Sequence, residues 1–358
     1  MNAVTSRLEQ VIREIGDPTS PAYRNLRAVL EQSPALMQQM NDALEHGHLR
    51  HFALMPEAEN AGASYDPETR TINLKRSDLL DAKQRDALTF LIGHEIQHGI
   101  NRGRTRQGLE QFDKSVRGVL ESGQPVHDYT SALDQMLAIN RSDEANAHIS
   151  GWNALASRVK QGNPEADLSD LGKLAKDVGY VFDFIEVKEV GGSPQFTAKE
   201  GFTFNTDLSL TPHPRNIEAA GKHYFDKRPD DAQLGHHGNS DYTNYYAAGL
   251  VGSVCQYELL NPSVAGEVHL DMRGLRLQEA LLEQNGISLG NAAARCLYRD
   301  LHAPEIARHF DHTADSHRHM PINALPTPTE LSADLNRSPP VVQLDDPSHP
   351  DHRLFRQA

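Results

Sequence analysis

A histidine, a glutamate and a second histidine are spaced so that they could act on one metal ion. They form the pattern His94-Glu95-x-x-His98 within the apolar-rich run of residues 89–99. In a helix, residues four apart project from the same face, so both imidazoles could bind one ion. Glu95 would lie beside that ion and could accept a proton from a metal-bound water. The pattern therefore predicts a metal site with a general base, built on a helix.

The residues around this pattern favour the helix that the site needs. Apolar side chains recur at helical spacing and predict a buried stripe, formed by Leu88, Leu91, Ile92 and Ile96. Ser77 is a candidate N-terminal cap for this segment. Gly99 and Gly103 predict that the helix ends soon after His98.

A later segment offers a third metal ligand. Ser142 is a candidate cap of another helix, on which Glu144 and His148 lie one turn apart. Catalytic zinc sites commonly combine two histidines, one carboxylate and a water, so Glu144 is the candidate third ligand. The alternative is an exposed carboxylate at a helix start, where the helix dipole favours negative charge.

Together these residues resemble the gluzincin metallopeptidases, in which a glutamate on a later helix completes the site. The matching positions are His94, Glu95 and His98, followed by Glu144 and Ala145. The resemblance implies a zincin-like fold with Zn²⁺ held by His94, His98 and Glu144. It also implies that Glu95 is the general base of a peptide-bond hydrolase.

One position departs from the family pattern. Gluzincins commonly carry an acidic residue four places after the glutamate ligand, where it orients a zinc-bound histidine. His148 occupies that position here. An imidazole can also form such a hydrogen bond, and Asp143 is adjacent to the ligand in sequence, so both are candidates for orienting the metal ligands.

Residues 235–250 resemble another gluzincin segment, Gly-x-His-x-Asn-Ser. The matching residues are Gly235, His237, Asn239, Ser240 and Asn244. The resemblance implies that His237 donates a hydrogen bond to the oxyanion formed during peptide hydrolysis. Tyr242 and Tyr245 are further candidate donors. The alternative is a polar loop without a chemical role.

Composition excludes some functions and indicates the fold class. A formal charge of −14 without a basic stripe argues against a nucleic-acid partner, and no apolar run is long enough to span a membrane. Amphipathic segments in residues 1–50, a hairpin at 63–74 and a strand at 180–190 predict an α+β protein, mostly helical with a small antiparallel sheet. Cys255 and Cys296 could form a disulfide, but two reduced thiols are the favoured interpretation.

The C-terminal part of the chain changes in composition. Residues 321–340 are rich in proline and predict an extended linker after an effector domain at 1–320. Residues 341–358 resemble the opening of the C-terminal secretion-signal domain of Xanthomonas-type antibacterial type IV secretion effectors. The resemblance rests on Leu-Asp-Asp-Pro at 344–347, His-Pro-Asp-His at 349–352 and Leu-Phe at 354–355. Because the family's domain continues well past this point, the chain is expected to lack most of it.

This second resemblance implies a toxin that leaves the cytoplasm without a signal peptide and acts in a target cell, with the periplasm as the expected compartment. The expected partners are a cognate immunity protein and, through the missing domain, the coupling ATPase of the secretion system. The expected substrate is the peptide part of peptidoglycan. One alternative is a protease that cleaves a target-cell protein, and another is a non-catalytic binding module with a structural metal.

Overall fold

The structure is a computed structural model that describes residues 3–59, 61–235, 238–284 and 295–311. The predicted linker, the predicted start of a signal domain and His237 lie outside the described residues. The described chain forms two compact units. Of the described residues, one unit contains those up to Gly103 together with Ser142–Phe225, and the other contains Arg104–Arg141 and those from Asp226 to Asp311. The fold is α+β and mostly helical, as predicted.

Three helices open the first unit: α1 (Ala3–Arg13), α2 (Pro21–Glu31) and α3 (Pro34–Glu45). Ser20 and Ser33 cap α2 and α3, because each hydroxyl accepts a hydrogen bond from a backbone N–H three residues later. A proline at the first helical position follows each cap, where its missing N–H costs nothing. The helices predicted from the amphipathic segments of residues 1–50 are confirmed.

A three-stranded sheet follows, made of β1 (His51–Met55), β2 (Ala63–Asp66) and β3 (Thr71–Lys75) in the order β1-β3-β2. The predicted hairpin is confirmed as the antiparallel pair β2–β3. Because β1 runs parallel to β3, this sheet is mixed rather than antiparallel. The apolar faces of α1–α3, the sheet and the next long helix share one buried cluster.

Two long helices carry the metal-site pattern. After the short α4 (Arg76–Leu80) come α5 (Arg85–Leu120), strand β4 (Val126–Asp128) and α6 (Thr130–Gly162). Ser77 lies inside α4 and does not cap α5, which begins eight residues later, so that prediction is wrong. The predicted end near Gly103 is also wrong. Gly99 and Gly103 keep φ values outside the left-handed region, and Gly99 instead permits close packing.

Likewise, Ser142 is an interior residue of α6 rather than a cap. Between Ile139 and Glu144 the sequence contains neither glycine nor proline, so nothing interrupts the helix. Apolar residues on both sides of Ser142 are buried and hold the two halves in one helix. Glu144 therefore lies in mid-helix, where neither the capping nor the dipole argument applies.

The first unit ends with α7 (Leu168–Lys173), the antiparallel pair β5 (Ile185–Val190) and β6 (Ser193–Ala198), α8 (Pro214–Ala220) and a π-helical turn at Gly221–Phe225. A 3-10 turn at Gly179–Asp183 precedes β5, so the predicted strand at 180–190 begins later than expected. Trp152, Phe184 and Phe202 lie in the buried cluster beneath these elements.

The second unit contains α9 (Pro229–Ala232), α10 (Tyr242–Leu260), β7 (Glu267–Leu270), α11 (Glu279–Gln284), β8 (Arg295–Asp300) and β9 (Ala307–Asp311). Its sheet has the order β4-β7-β8-β9, in which only β8 and β9 pair antiparallel. Where one small antiparallel sheet was predicted, the described residues form two small mixed sheets and a hairpin. No helix among the described residues is long and apolar enough to cross a membrane.

Cys255 is fully buried in α10 and is disulfide-bonded. The favoured expectation of a reduced thiol is therefore wrong for Cys255. The sequence contains one other cysteine, Cys296, whose side chain lies outside the described residues.

Candidate metal centre

The close crossing of α5 and α6 within the first unit positions the candidate ligands. A Cβ atom on Gly93 would lie 2.8 Å from the Ala154 Cβ, and one on Gly151 would lie 2.8 Å from the Phe90 carbonyl oxygen. Only residues without a side chain allow the two backbones to approach this closely. The crossing therefore brings the two histidines of α5 to the helix that carries Glu144.

The side chains of His94, His98 and Glu144 converge on one point. The Nε2 atoms of the histidines are 3.0 Å apart, and the Glu144 Oε2 lies 3.5 Å from that of His94 and 3.9 Å from that of His98. One ligand atom from each residue lies within 4.8 Å of the others. His94 and Glu144 are buried, and His98 is slightly exposed.

These distances suit a metal ion. Ligand atoms about 2.0–2.2 Å from a tetrahedral ion lie roughly 3.3 Å from one another, which matches the observed spacing. Two imidazoles and a carboxylate are also ligands that divalent transition metals accept. The His94, His98 and Glu144 group could therefore hold a metal ion, and the structure brings together all three ligands predicted from the sequence.

Asp143 contacts the His98 imidazole at Nδ1, the ring nitrogen that faces away from the ligand group. Its Oδ2 atom lies 2.9 Å from His98 Nδ1, and its Oδ1 atom accepts a hydrogen bond of 2.7 Å from Asn101. Asp143 thus fixes the imidazole so that Nε2 faces the ligand group. Burial opposes a charge on His98, but the negative charges of Asp143, Glu144 and Glu95 raise its pKa well above the ordinary value. The predicted orienting role of Asp143 matches this geometry.

His148 does not belong to the ligand group, although it lies one turn after Glu144. Its Nε2 atom is 2.9 Å from Asp183 Oδ2, and both side chains are buried. The imidazole ring lies between two aromatic rings, stacked on Tyr224 at a centroid distance of 3.6 Å and on Phe184 at 4.9 Å. It meets the His94 ring edge-on at 5.9 Å. His148 therefore supports His94 by packing, while Asp183 fixes His148.

Two further tyrosines, Tyr224 and Tyr180, lie beside the ligand group. Tyr224 projects from the π-helical turn and lies edge-on to His94 at 5.9 Å. Such π-helical turns recur at functional sites because the extra residue changes the direction of nearby side chains. No pattern in the sequence predicts one. Tyr180 stacks on Phe90, one turn before His94, at 5.0 Å.

The charge of Glu95, the candidate general base, also affects the pKa of Tyr180. Burial first, and then the negative charges of Glu95 and Asp183, raise the pKa of Tyr180 to about 12. The phenol consequently keeps its proton at neutral pH and remains a hydrogen-bond donor. Glu95 itself is buried beside His94 on α5. The site thus combines three candidate metal ligands, a carboxylate able to accept a proton and a phenol able to donate a hydrogen bond.

The remaining predicted donors belong to the second unit or lie outside the described residues. His237 is among the latter. Tyr242 is buried at the start of α10 and Tyr245 is half-buried one turn later. Asp241 caps α10 through the Asn244 N–H at 2.8 Å, and Asn244 Oδ1 accepts from the Gln278 N–H at 2.7 Å. These contacts give part of the polar stretch a structural role, and the role of His237 stays a prediction.

No protein-family model, curated protein or solved structure matches this chain.

Proposed function

We propose that this protein is a zinc-dependent hydrolase of peptide bonds. The observation that carries the proposal is the convergence of His94, His98 and Glu144 on one point, with Glu95 next to the first histidine on the same helix. Zinc in hydrolases takes three protein ligands of this type and leaves a fourth position for water. The group found among the described residues contains three such ligands and no cysteine, which is the composition of an open site.

Zinc bound there would lower the pKa of a coordinated water and polarise a substrate carbonyl. The protein's own residues supply the remaining functions. Glu95 accepts the proton of the attacking water and returns it to the leaving amine. Asp143 keeps His98 in the orientation that presents Nε2. The Tyr180 hydroxyl is available to hold the substrate carbonyl oxygen as negative charge develops on it.

We further propose that the enzyme is an antibacterial toxin that acts on peptidoglycan peptides in the periplasm of a target cell. The support is the resemblance of residues 341–358 to the start of a type IV secretion-signal domain. A coupling ATPase would recognise the complete signal, and an immunity protein would protect the producing cells. A target-cell protein is the competing substrate.

Metal analysis and one matched pair of variants test the hydrolase. Protein purified without added zinc should contain close to one equivalent of metal. Purified sacculi should release peptides or lose cross-links with wild type but not with Glu95→Gln, because an amide cannot accept the proton. Glu110→Gln is the control, since it makes the same change at an exposed position of α5.

Each result has a definite meaning for the proposal. Absence of bound metal, or equal activity of Glu95→Gln and Glu110→Gln, would refute a metal-dependent hydrolase. Cleavage of a protein in a cell lysate, with intact sacculi, would replace peptidoglycan by a protein substrate. A fourth protein ligand on the metal, with no activity on either substrate, would indicate a structural metal.

A further inference from the structure

An arginine follows the metal-binding turn of α5. Arg102 is four residues after His98, so it lies one turn further along nearly the same face, about 6 Å along the helix axis. A Cβ atom on Gly99 would lie 2.9 Å from the His48 carbonyl oxygen and 3.1 Å from the Tyr65 ring. This glycine therefore lets the segment after α3 pack directly against the turn between His98 and Arg102.

Two more arginines are tied to that segment. The guanidinium group of Arg70 donates a hydrogen bond of 2.7 Å to the Gly47 carbonyl oxygen. The Arg50 N–H donates one of 2.8 Å to the Arg70 carbonyl oxygen. Arg70 adopts a φ of 57° at the turn between β2 and β3, and these bonds hold that turn against residues 47–50. The backbone thus brings Arg50 and Arg70 to the same corner of the first unit as Arg102.

The three arginines at this corner carry positive charges that the protein does not neutralise. In the part of the chain that the structure describes, no ion pair joins Arg50, Arg70 or Arg102 to a carboxylate, although the sequence carries a net charge of −14. The Nε atom of Arg102 is buried and has no hydrogen-bond partner there. Such a donor costs free energy unless another molecule binds it.

The electrostatic environment of this corner agrees with the geometry. Burial lowers the pKa of Arg70, and the positive charges of Arg50 and Arg102 lower it further. The pKa of His48 is lowered by burial and then by the charges of His46, Arg70 and Arg102. These directions agree with the hydrogen bonds that bring Arg70 and Arg50 together, and an anion bound between the arginines would relieve their repulsion.

We propose that Arg50, Arg70 and Arg102 form a subsite that binds an oxyanion of the substrate, a carboxylate or a phosphate, beside the metal centre. Its use as a substrate subsite rests on the proposed hydrolase function. Guanidinium groups suit this task because their planar N–H donors pair with two oxygens of one oxyanion. The subsite would then select substrates that carry a negative charge near the bond to be cleaved.

Calorimetry with two small anions tests the proposal without requiring turnover. Glutarate represents a carboxylate and inorganic pyrophosphate represents a phosphate, each titrated at low salt into the full chain. At least one anion should bind the wild type. Arg102→Gln and Arg50→Gln should each weaken that binding about tenfold, the value expected for one charge-assisted hydrogen bond. Arg106→Gln should bind as wild type, because Arg106 is an exposed residue of α5 that pairs with Glu110.

The outcomes separate the subsite from the catalytic proposal. Binding of glutarate alone assigns a carboxylate, and binding of pyrophosphate alone assigns a phosphate. The proposal is refuted if neither anion binds, or if all three arginine variants bind equally, as they would if the anion sat only on the metal. Arg50 is exposed, so its variant decides the matter should Arg102→Gln fail to fold. Repeating the titration in Glu95→Gln makes the result independent of hydrolysis.

Discussion

His148 Nε2 and Asp183 Oδ2 lie 2.9 Å apart, and the two side chains are only 1% and 5% exposed. Asp183 lies in the 3-10 turn before β5, and its partner imidazole packs edge-on against His94. A buried imidazole that loses its partner must bear the full cost of desolvation. This pair is therefore expected to stabilise both the fold and the candidate metal centre.

Removing the carboxylate of Asp183 should show how much this pair contributes to the stability of the fold. Asp183→Leu leaves the buried His148 ring without its carboxylate and should lower the free energy of unfolding by about 1–3 kcal/mol. Asp183→Asn keeps a hydrogen-bonding group and should cost less. Denaturant unfolding measures both effects. Glu186→Gln, which removes an exposed ion pair with Lys188, is the control and should change stability little. Equal stability of Asp183→Leu and the control would show that the pair of His148 and Asp183 does not stabilise the fold.

Loss of the third ligand should be visible in metal affinity. Glu144→Gln replaces a charged oxygen by a weaker neutral ligand and should lower metal affinity by at least about tenfold. Competition with a chromophoric chelator measures the change. Asp134→Asn makes the equivalent change at an exposed position of α6 and should leave affinity unaltered. A Glu144→Gln protein with wild-type affinity would show that the ion, if bound, does not use this carboxylate.

The helix crossing predicts opposite effects for two glycines of α5. Gly93→Ala places a methyl group 2.8 Å from the Ala154 Cβ and should destabilise the protein by about 1–3 kcal/mol, with reduced metal binding. At Gly103 nothing lies within 4 Å, so Gly103→Ala should gain up to about 1 kcal/mol from helix propensity. Thermal unfolding distinguishes the two variants. The crossing would be misassigned if both alanines were tolerated alike.

The raised pKa of His98 predicts opposite pH trends with and without metal. In the metal-free protein, the charged imidazole is stabilised by Asp143, Glu144 and Glu95. This stabilisation is complete below the unfolded-state pKa of about 6.5 and is lost as pH rises through the raised folded-state value. A metal must displace the same proton, so its affinity rises with pH over that window.

Thermal unfolding between pH 6 and 9, with and without chelator, tests the direction of these two pH trends. The difference in melting temperature between metal-bound and metal-free protein should widen as pH rises. In His98→Gln the contribution of this group should disappear. A constant difference across the range would show that His98 does not couple proton release to metal binding.

The local chemistry of the site could be predicted from the sequence, because residues close in sequence carry it. Helical spacing alone places His94 and His98 on one face and Glu95 beside them. Ser20 and Ser33, each followed by a proline, likewise indicate where α2 and α3 begin. The hairpin β2–β3 follows from strand-forming residues around a compact turn. In each case the determinant lies within a few residues of its effect.

Long-range packing decided the rest. Glycines in α5 suggested a helix end, but Gly99 lies against the His48 carbonyl oxygen, and that neighbour cannot be read from the local sequence. Asp183 lies 35 residues from His148, and only the folded chain brings them together. The same holds for Arg50, Arg70 and Arg102, which gather around one loop through backbone hydrogen bonds and a glycine contact. Spacing within a helix is set by local geometry, whereas the neighbours of that helix are set by which distant surfaces bury together.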